Sequence, residues 1–299
     1  MRAVVTGGAG FIGSHVAEAL VERGDEVHVL DSLATGSREK VPAGAELHLG
    51  DIRRDDAALF DSVRPELCVH LAAQADVGTS VERPDYDAEV NVLGTVRVLE
   101  AARRHGTQVI LASTGGAIYG ECEGPAGEES PRRPLSPYGV SKLAAEEYLA
   151  AYNRLYGTEH VSLRYGNVYG PRQDPHGEAG VVAIFLGRLA EGERARIFGD
   201  GSQTRDYVYA GDVARATLAA VGKKGVFNVG TGVETSVLDL YELCRRVAGS
   251  ELEAEHAEAR LGELQRSVLD VTRAERELGW RPEVELEEGL RRTWESSFA

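Results

Sequence analysis

The sequence predicts an α/β protein: a doubly wound parallel sheet followed by a smaller C-terminal lobe. Three observations carry that prediction. Short β-branched runs alternate with longer helical patterns through the first half, as βαβ units require. A glycine-rich turn falls at the junction of the first strand and the first helix. Past about Gly170 the alternation loosens, where Pro171, Pro175, Gly177 and Gly180 interrupt the chain.

Strands are expected at Ala3–Thr6, Glu26–Asp31, Glu46–Leu49, Leu67–Leu71 and Gln108–Ala112, each short and rich in β-branched or aliphatic residues. Helical patterns lie between them, near Phe11–Glu22, Ala57–Val63 and Ala88–Arg104. A long helix is expected over Tyr138–Leu155, and a further strand at His160–Arg164. This reading divides the chain into a nucleotide-binding domain over 1–170 and a lobe over 171–299, some segments of which return to the sheet. No internal repeat, low-complexity tract or long linker breaks it.

A formal net charge of -15 repels phosphate backbones, so nucleic acid is not an expected partner. An anionic small ligand would need a site built locally, from helix N-termini and a few arginines. Cys68, Cys122 and Cys244 are odd in number and far apart, which argues for a reducing compartment. The first residues lack the charged-then-apolar layout of a leader, and no apolar stretch reaches bilayer length. A cytoplasmic protein without membrane or metal partners is expected.

Thr6-Gly7-Gly8-Ala9-Gly10-Phe11-Ile12-Gly13 leaves the first strand and opens the first helix. Gly7 permits the tight turn, Gly10 lets backbone N–H groups approach a pyrophosphate, and Gly13 allows close helix–strand packing. Asp31 ends the next strand, near the offset at which a carboxylate accepts hydrogen bonds from an adenosine ribose. That carboxylate repels a 2′-phosphate, and neither Ser32 nor Leu33 offers a compensating cation, so NAD is expected over NADP.

Tyr138-Gly139-Val140-Ser141-Lys142 places a phenol and an ammonium one helical turn apart, on one face. Tyrosine, with a pKa of about 10, is a poor base at neutral pH. A nearby cation favours the phenolate, which could take a proton from a substrate hydroxyl. Only four lysines occur, so one at this spacing carries weight. By itself the pattern also describes an ordinary surface pair. Its position downstream of the glycine fingerprint and five strands is what makes it a candidate site.

Together these motifs, with Gly50-Asp51-Ile52, His70-Leu71-Ala72-Ala73-Gln74, the run from Leu163 to Arg172, and Arg205-Asp206-Tyr207-Val208, resemble the extended short-chain dehydrogenase/reductase family. Within it they are most similar to the UDP-glucose 4-epimerase type, nearly end to end, finishing at Glu277-Leu278-Gly279-Trp280. The resemblance implies a Rossmann-like fold with a substrate-binding C-terminal lobe, bound NAD, a UDP-sugar substrate and a homodimer built on the two long helices. It implies reversible 4-epimerisation of UDP-galactose and UDP-glucose through a 4-keto sugar. Phe11 and Ile12 would touch the pyrophosphate, Asp31, Ser32, Leu33, Thr35 and Gly36 the adenosine ribose, and Asp51 and Ile52 the adenine. Leu71, Ala72, Ala73, Gln74 and Asn91 would line the path to the nicotinamide, and Tyr165 would also contact the cofactor. Tyr138 and Lys142 match the catalytic pair, Asn167 a nucleotide-sugar contact, and Arg205 and Arg260 the arginines that grip the diphosphate.

Two positions depart from the family's pattern. A serine or threonine is usual four residues before Tyr119, where this chain has Gly115; Thr114, immediately before it, is expected to take over contact with the sugar O4. Gly116 and Ala117 stand where 4,6-dehydratases carry an acid pair, which argues against that reaction. Ser267 occupies a position where a tyrosine tends to restrict the pocket to plain hexoses, so N-acetylhexosamine substrates are expected to fit. The rival readings are epimerisation or decarboxylation of UDP-glucuronate, with Arg172 as the carboxylate's cation, net dehydrogenation, and a non-catalytic NAD-binding regulator.

Overall fold

The computed structural model describes residues 1–175, 180–259 and 264–298. Six strands, β1 (Arg2–Thr6), β2 (Glu26–Asp31), β3 (Ala45–Leu49), β4 (Leu67–His70), β5 (Gln108–Thr114) and β6 (Val161–Tyr165), form the body of a parallel sheet. The chain then makes short strands β7 (Asn167–Tyr169), β8 (Arg196–Phe198), β9 (Thr204–Arg205) and β10 (Tyr207–Tyr209). Next, β11 (Gly225–Val229) pairs in parallel with β6 and completes the order β3-β2-β1-β4-β5-β6-β11. β12 (Thr235–Ser236), β13 (Glu255–Ala257) and β14 (Arg266–Ser267) follow in the lobe.

The helices are α1 (Phe11–Glu22), α2 (Asp56–Val63), α3 (Val77–Glu82), α4 (Pro84–Ala88), α5 (Gly94–His105), α6 (Gly115–Ile118) and α7 (Pro137–Tyr156). In the C-terminal part come α8 (Val181–Ala190), α9 (Ala210–Ala219), α10 (Val237–Val247), α11 (Thr272–Leu278) and α12 (Leu286–Ser297). The ends of α7 follow local chemistry. Ser136 accepts the Gly139 N–H at 3.2 Å, Pro137 takes the first turn, and Gly157 closes the helix in the left-handed region.

Strand alternation builds two apolar layers. Val5, Val29, Val69, Ile110 and Leu163 pack toward α1 and α9, while Val4, Leu30, Cys68, Val109 and Leu111 pack toward α2, α5 and α7. A third core, around Phe185, Leu186, Leu240, Tyr241 and Leu290, holds α8, α10 and α12 together. Cys68, Cys122 and Cys244 are all in the thiol form, with no disulfide among the described residues. No helix among the described residues is long and apolar enough to cross a membrane.

The structure differs from the sequence-based expectation at one long helix. The single helix expected near Ala88–Arg104 is α4, a π-turn over Glu89–Leu93, and α5. Periodicity cannot register the one extra residue in such a turn, and the turn contains Asn91.

Two buried carboxylates fasten the layers. Asp206 accepts the Thr231 N–H and hydroxyl at 2.7 and 2.6 Å, the Gly232 N–H at 3.0 Å and the Leu269 N–H at 3.3 Å. A Cβ on Gly230 would fall 2.4 Å from that carboxylate, so only glycine fits. Glu146 on α7 accepts a fork from Arg164 on β6, the closest contact being 2.7 Å. Arg164 also donates to the Tyr119 hydroxyl at 2.8 Å and the Glu128 carbonyl at 2.9 Å. Removing one partner of such a pair strands a buried charge. Glu146→Gln is therefore expected to lower unfolding stability by about 3–5 kcal/mol, measured by urea denaturation.

Candidate active site

The strand order reverses between β1 and β4, and the crevice at their carboxyl ends is where an open parallel sheet binds its ligand. Gly7 turns there with φ +73°, and a Cβ on it would sit 2.6 Å from the Ala72 N. A Cβ on Gly13 would fall 2.1 Å from the Gly7 carbonyl oxygen, and one on Gly10 3.2 Å from the same atom. No side chain caps α1, so the N–H groups that open it, at Phe11, Ile12 and Gly13, face an anion-binding position. The cradle that a Cβ would fill is the feature that fits a dinucleotide pyrophosphate.

Asp31 is buried at the end of β2, and its two oxygens accept the Ala9 and Leu33 N–H groups at 2.9 and 2.8 Å. Leu33 adopts φ +58°, and Gly36 approaches so closely that a Cβ would lie 2.9 Å from the Ala9 carbonyl oxygen. The loop thus folds over the fingerprint, with Ser32 and Thr35 exposed on its rim. Asp51 is clamped by Arg53, which holds its carboxyl below the usual range. The Ile52 side chain is buried in the core against Gly94, leaving only its backbone for an adenine.

On the β4 side, the His70 ring lies between the hydroxyls of Thr6, 2.7 Å away, and Thr95, 3.1 Å away. Burial drives its pKa down to about 3, so the ring is a neutral relay. Thr6 in turn accepts the Ala72 N–H at 3.2 Å, which fixes the path of Leu71, Ala72 and Ala73. Asn91 pairs with the Gln74 backbone through both ends of its amide, each at 2.9 Å, and donates to Ser141 at 3.0 Å. Its side chain therefore positions the Gln74 segment against α7. Asp87, fully buried one turn before it, accepts from the Gln74 and Asn91 side chains at 2.8 and 3.1 Å. Sequence reasoning missed Asp87; its four-residue spacing from Asn91 was the available signal.

Tyr138 and Lys142 share one face of α7 across from Thr114, the last residue of β5. The phenol of Tyr138 is pushed up to about 12, by burial first and by the Asp87 carboxylate second, while hydrogen bonding to Thr114 pulls the other way. This corrects the expectation from spacing alone, in which the Lys142 charge was to lower it. Lys142 is itself depressed to about 8 by burial, with Glu146 and Asp87 opposing.

The Gly115 departure acquires a physical reason. A Cβ at Gly115 would fall 2.6 and 2.7 Å from the methyl carbons of Leu269, inside a small apolar cluster. A side chain there would point into that cluster. Thr114 instead carries its hydroxyl on the Gly116 side, where a Cβ on Gly116 would lie 3.9 Å from it and 3.4 Å from the Asn167 amide oxygen.

Asn167 opens β7 and hangs from the Asp206 carbonyl at 2.7 Å. Arg205 and Ser267 face each other in register on β9 and β14, Arg205 half-buried and Ser267 buried. Arg260 lies outside the described residues. The structure corrects the side-chain role expected of Tyr165: its hydroxyl meets that of Thr217 at 3.3 Å under α9, so the ring belongs to the core. Arg172 makes an ion pair with Glu18 on α1.

Residues 3–230 match the NAD dependent epimerase/dehydratase family. The chain is 47% identical to a UDP-glucose 4-epimerase of Mycolicibacterium smegmatis, over 99% of this chain and 98% of that one. Among solved structures, it is similar to a UDP-glucose 4-epimerase of Thermotoga maritima with UDP-glucose, at 47% identity and a TM-score of 0.96, covering 99% of this chain and 98% of the other. A UDP-glucose 4-epimerase of Thermus thermophilus in complex with NAD matches at 49% identity and a TM-score of 0.95, with the same coverage. The family match spans most of the chain and ends on the strand that completes the sheet: the protein belongs to the NAD-dependent epimerase/dehydratase family.

Proposed function

We propose that this chain catalyses the reversible NAD-dependent 4-epimerisation of a UDP-sugar, with UDP-galactose and UDP-glucose as the primary pair. The observation that carries the reading is Tyr138 beside Thr114 at the carboxyl end of the sheet, with Lys142 one turn on and Arg205 on the facing lobe. Gly7 through Gly13, Asp31 and Lys142 would hold NAD, which would supply reversible hydride chemistry at C4 with no net consumption. Tyr138 takes the O4 proton and later gives it back, while the Thr114 hydroxyl orients O4. Arg205, with Arg260 by resemblance, holds the diphosphate as the sugar turns. Strong binding at the nucleotide end and weak binding of the sugar suit that rotation.

The rivals lose support at particular residues. The guanidinium that a uronate carboxylate would want, Arg172, is already paired with Glu18. Gly116 and Ala117 offer no acid–base pair for dehydration. Small Ser267, set beside Arg205, favours acceptance of an N-acetyl group. We also propose a homodimer through α5 and α7, supported by exposed Leu93, Val140 and Tyr148 along these helices and the turn before α5. Three cysteines in the thiol form fit a reducing, cytoplasmic setting.

Proton NMR of the protein with UDP-galactose should show UDP-glucose appearing without NADH accumulation, and the same for the N-acetyl pair. Tyr138→Phe should slow turnover about 10²–10⁴-fold, and unchanged turnover would remove the mechanism. Asp87→Asn removes a negative charge that raises the phenol. The acid limb of its kcat–pH profile should therefore move to lower pH, and an unmoved limb would exclude Asp87 as a tuning group. Light scattering should give twice the chain mass, and Leu93→Glu with Tyr148→Glu should reduce it to one.

A further inference from the structure

Away from the crevice, three ligand-type side chains from two neighbouring strands meet on the edge of the sheet. β2 and β3 pair so that His28 lies opposite Glu46 and Leu30 opposite His48, which puts His28, Glu46 and His48 on one face. We propose that these three residues bind a transition-metal ion of the Zn²⁺ type, with water completing the shell. Nδ1 of His28 stands 3.0 Å from Nε2 of His48 and 3.4 Å from a Glu46 carboxylate oxygen; the other Glu46 oxygen is 3.7 Å from Nε2 of His48. Neighbouring ligands of a tetrahedral ion bonded at about 2.0–2.1 Å are separated by about 3.3 Å. The triangle is therefore already close to the size that such an ion requires.

A second observation sets this group apart from a chance cluster. The other ring nitrogen of His28, Nε2, lies 3.2 Å from the carboxylate of Glu26. A metal-bound histidine ordinarily donates its second N–H to a carboxylate, which fixes the tautomer and strengthens the ligand. Here that donation leaves Nδ1 as the lone pair facing His48 and Glu46. Exposure of the side chains rises from 10% at His28 to 28% at His48 and 66% at Glu46, so the fourth position opens to water. Two imidazoles and one carboxylate suit Zn²⁺ and, in the laboratory, Co²⁺. His28 and Asp31 point to opposite faces of β2, so the ion would stand apart from the cofactor. Its effect would be to clamp β3, the outermost strand of the sheet, to β2.

The test uses untagged full-length protein stripped with chelator and dialysed. Titration with Co²⁺ should saturate at one equivalent per chain with visible d–d absorption, and Zn²⁺ should displace it and raise Tm. His48→Gln, at a half-buried position, and Glu46→Gln, at an exposed one, should each weaken binding by roughly tenfold or more while circular dichroism stays unchanged. Glu26→Gln leaves all three ligands in place and should weaken it by about 10–100-fold through His28 alone. Absence of saturable binding at one equivalent, or binding untouched by His48→Gln and Glu46→Gln, overturns the proposal.

Discussion

Everything in the crevice is measured from one contact, the seating of α1 directly on the turn that leaves β1. The Gly7 carbonyl lies where a side chain on Gly13 would begin, and the Ala72 backbone lies where one on Gly7 would begin. Three chain segments thus meet with no side chain between them. Because Ala9 is held in this turn, its N–H reaches Asp31 and draws the ribose-side loop inward. Because Thr6 precedes the turn, its hydroxyl reaches His70 and Ala72 and sets the opposite wall. The cofactor cradle is a consequence of backbone contact distances before any charge is considered.

Charge then accumulates along α7 in a manner that water would not allow. Tyr138, Lys142 and Glu146 occur at successive turns, Glu146 is compensated by Arg164, and Asp87 stands near the first two. Burial opposes ionisation of both the phenol and the ammonium, so their proton affinities are driven apart, the phenol up to about 12 and the ammonium down to about 8. That divergence keeps a proton on the Tyr138 phenol in the resting site. The hydroxyl of Thr114, carried on the last residue of a central strand, gives this proton a fixed direction.

Short-range features were legible in the sequence. The glycine register, the strands around it and the Tyr138–Lys142 spacing all depend on residues within one or two turns of each other, and the observed elements follow them. Features created by distant partners were not. Asp206 owes its role to groups 25 to 63 residues away, and Gly115 is explained only by Leu269. The pairing of Arg172 with Glu18 joins the second half of α1 to the loop after β7. Tyr165 and Ile52 occupy motif positions along the chain, but the strand and the loop turn their side chains into the core.

The Asp206 junction also has a mechanical meaning. It joins the segment between β9 and β10 to the end of β11 and to the chain after β14 through four hydrogen bonds on one sealed carboxylate. A joint of that kind resists local opening, which requires breaking all four together. It acts as a fulcrum: any widening of the crevice to admit a nucleotide sugar must swing the far rim of the lobe, while the wall beside Leu269 and Gly115 stays still.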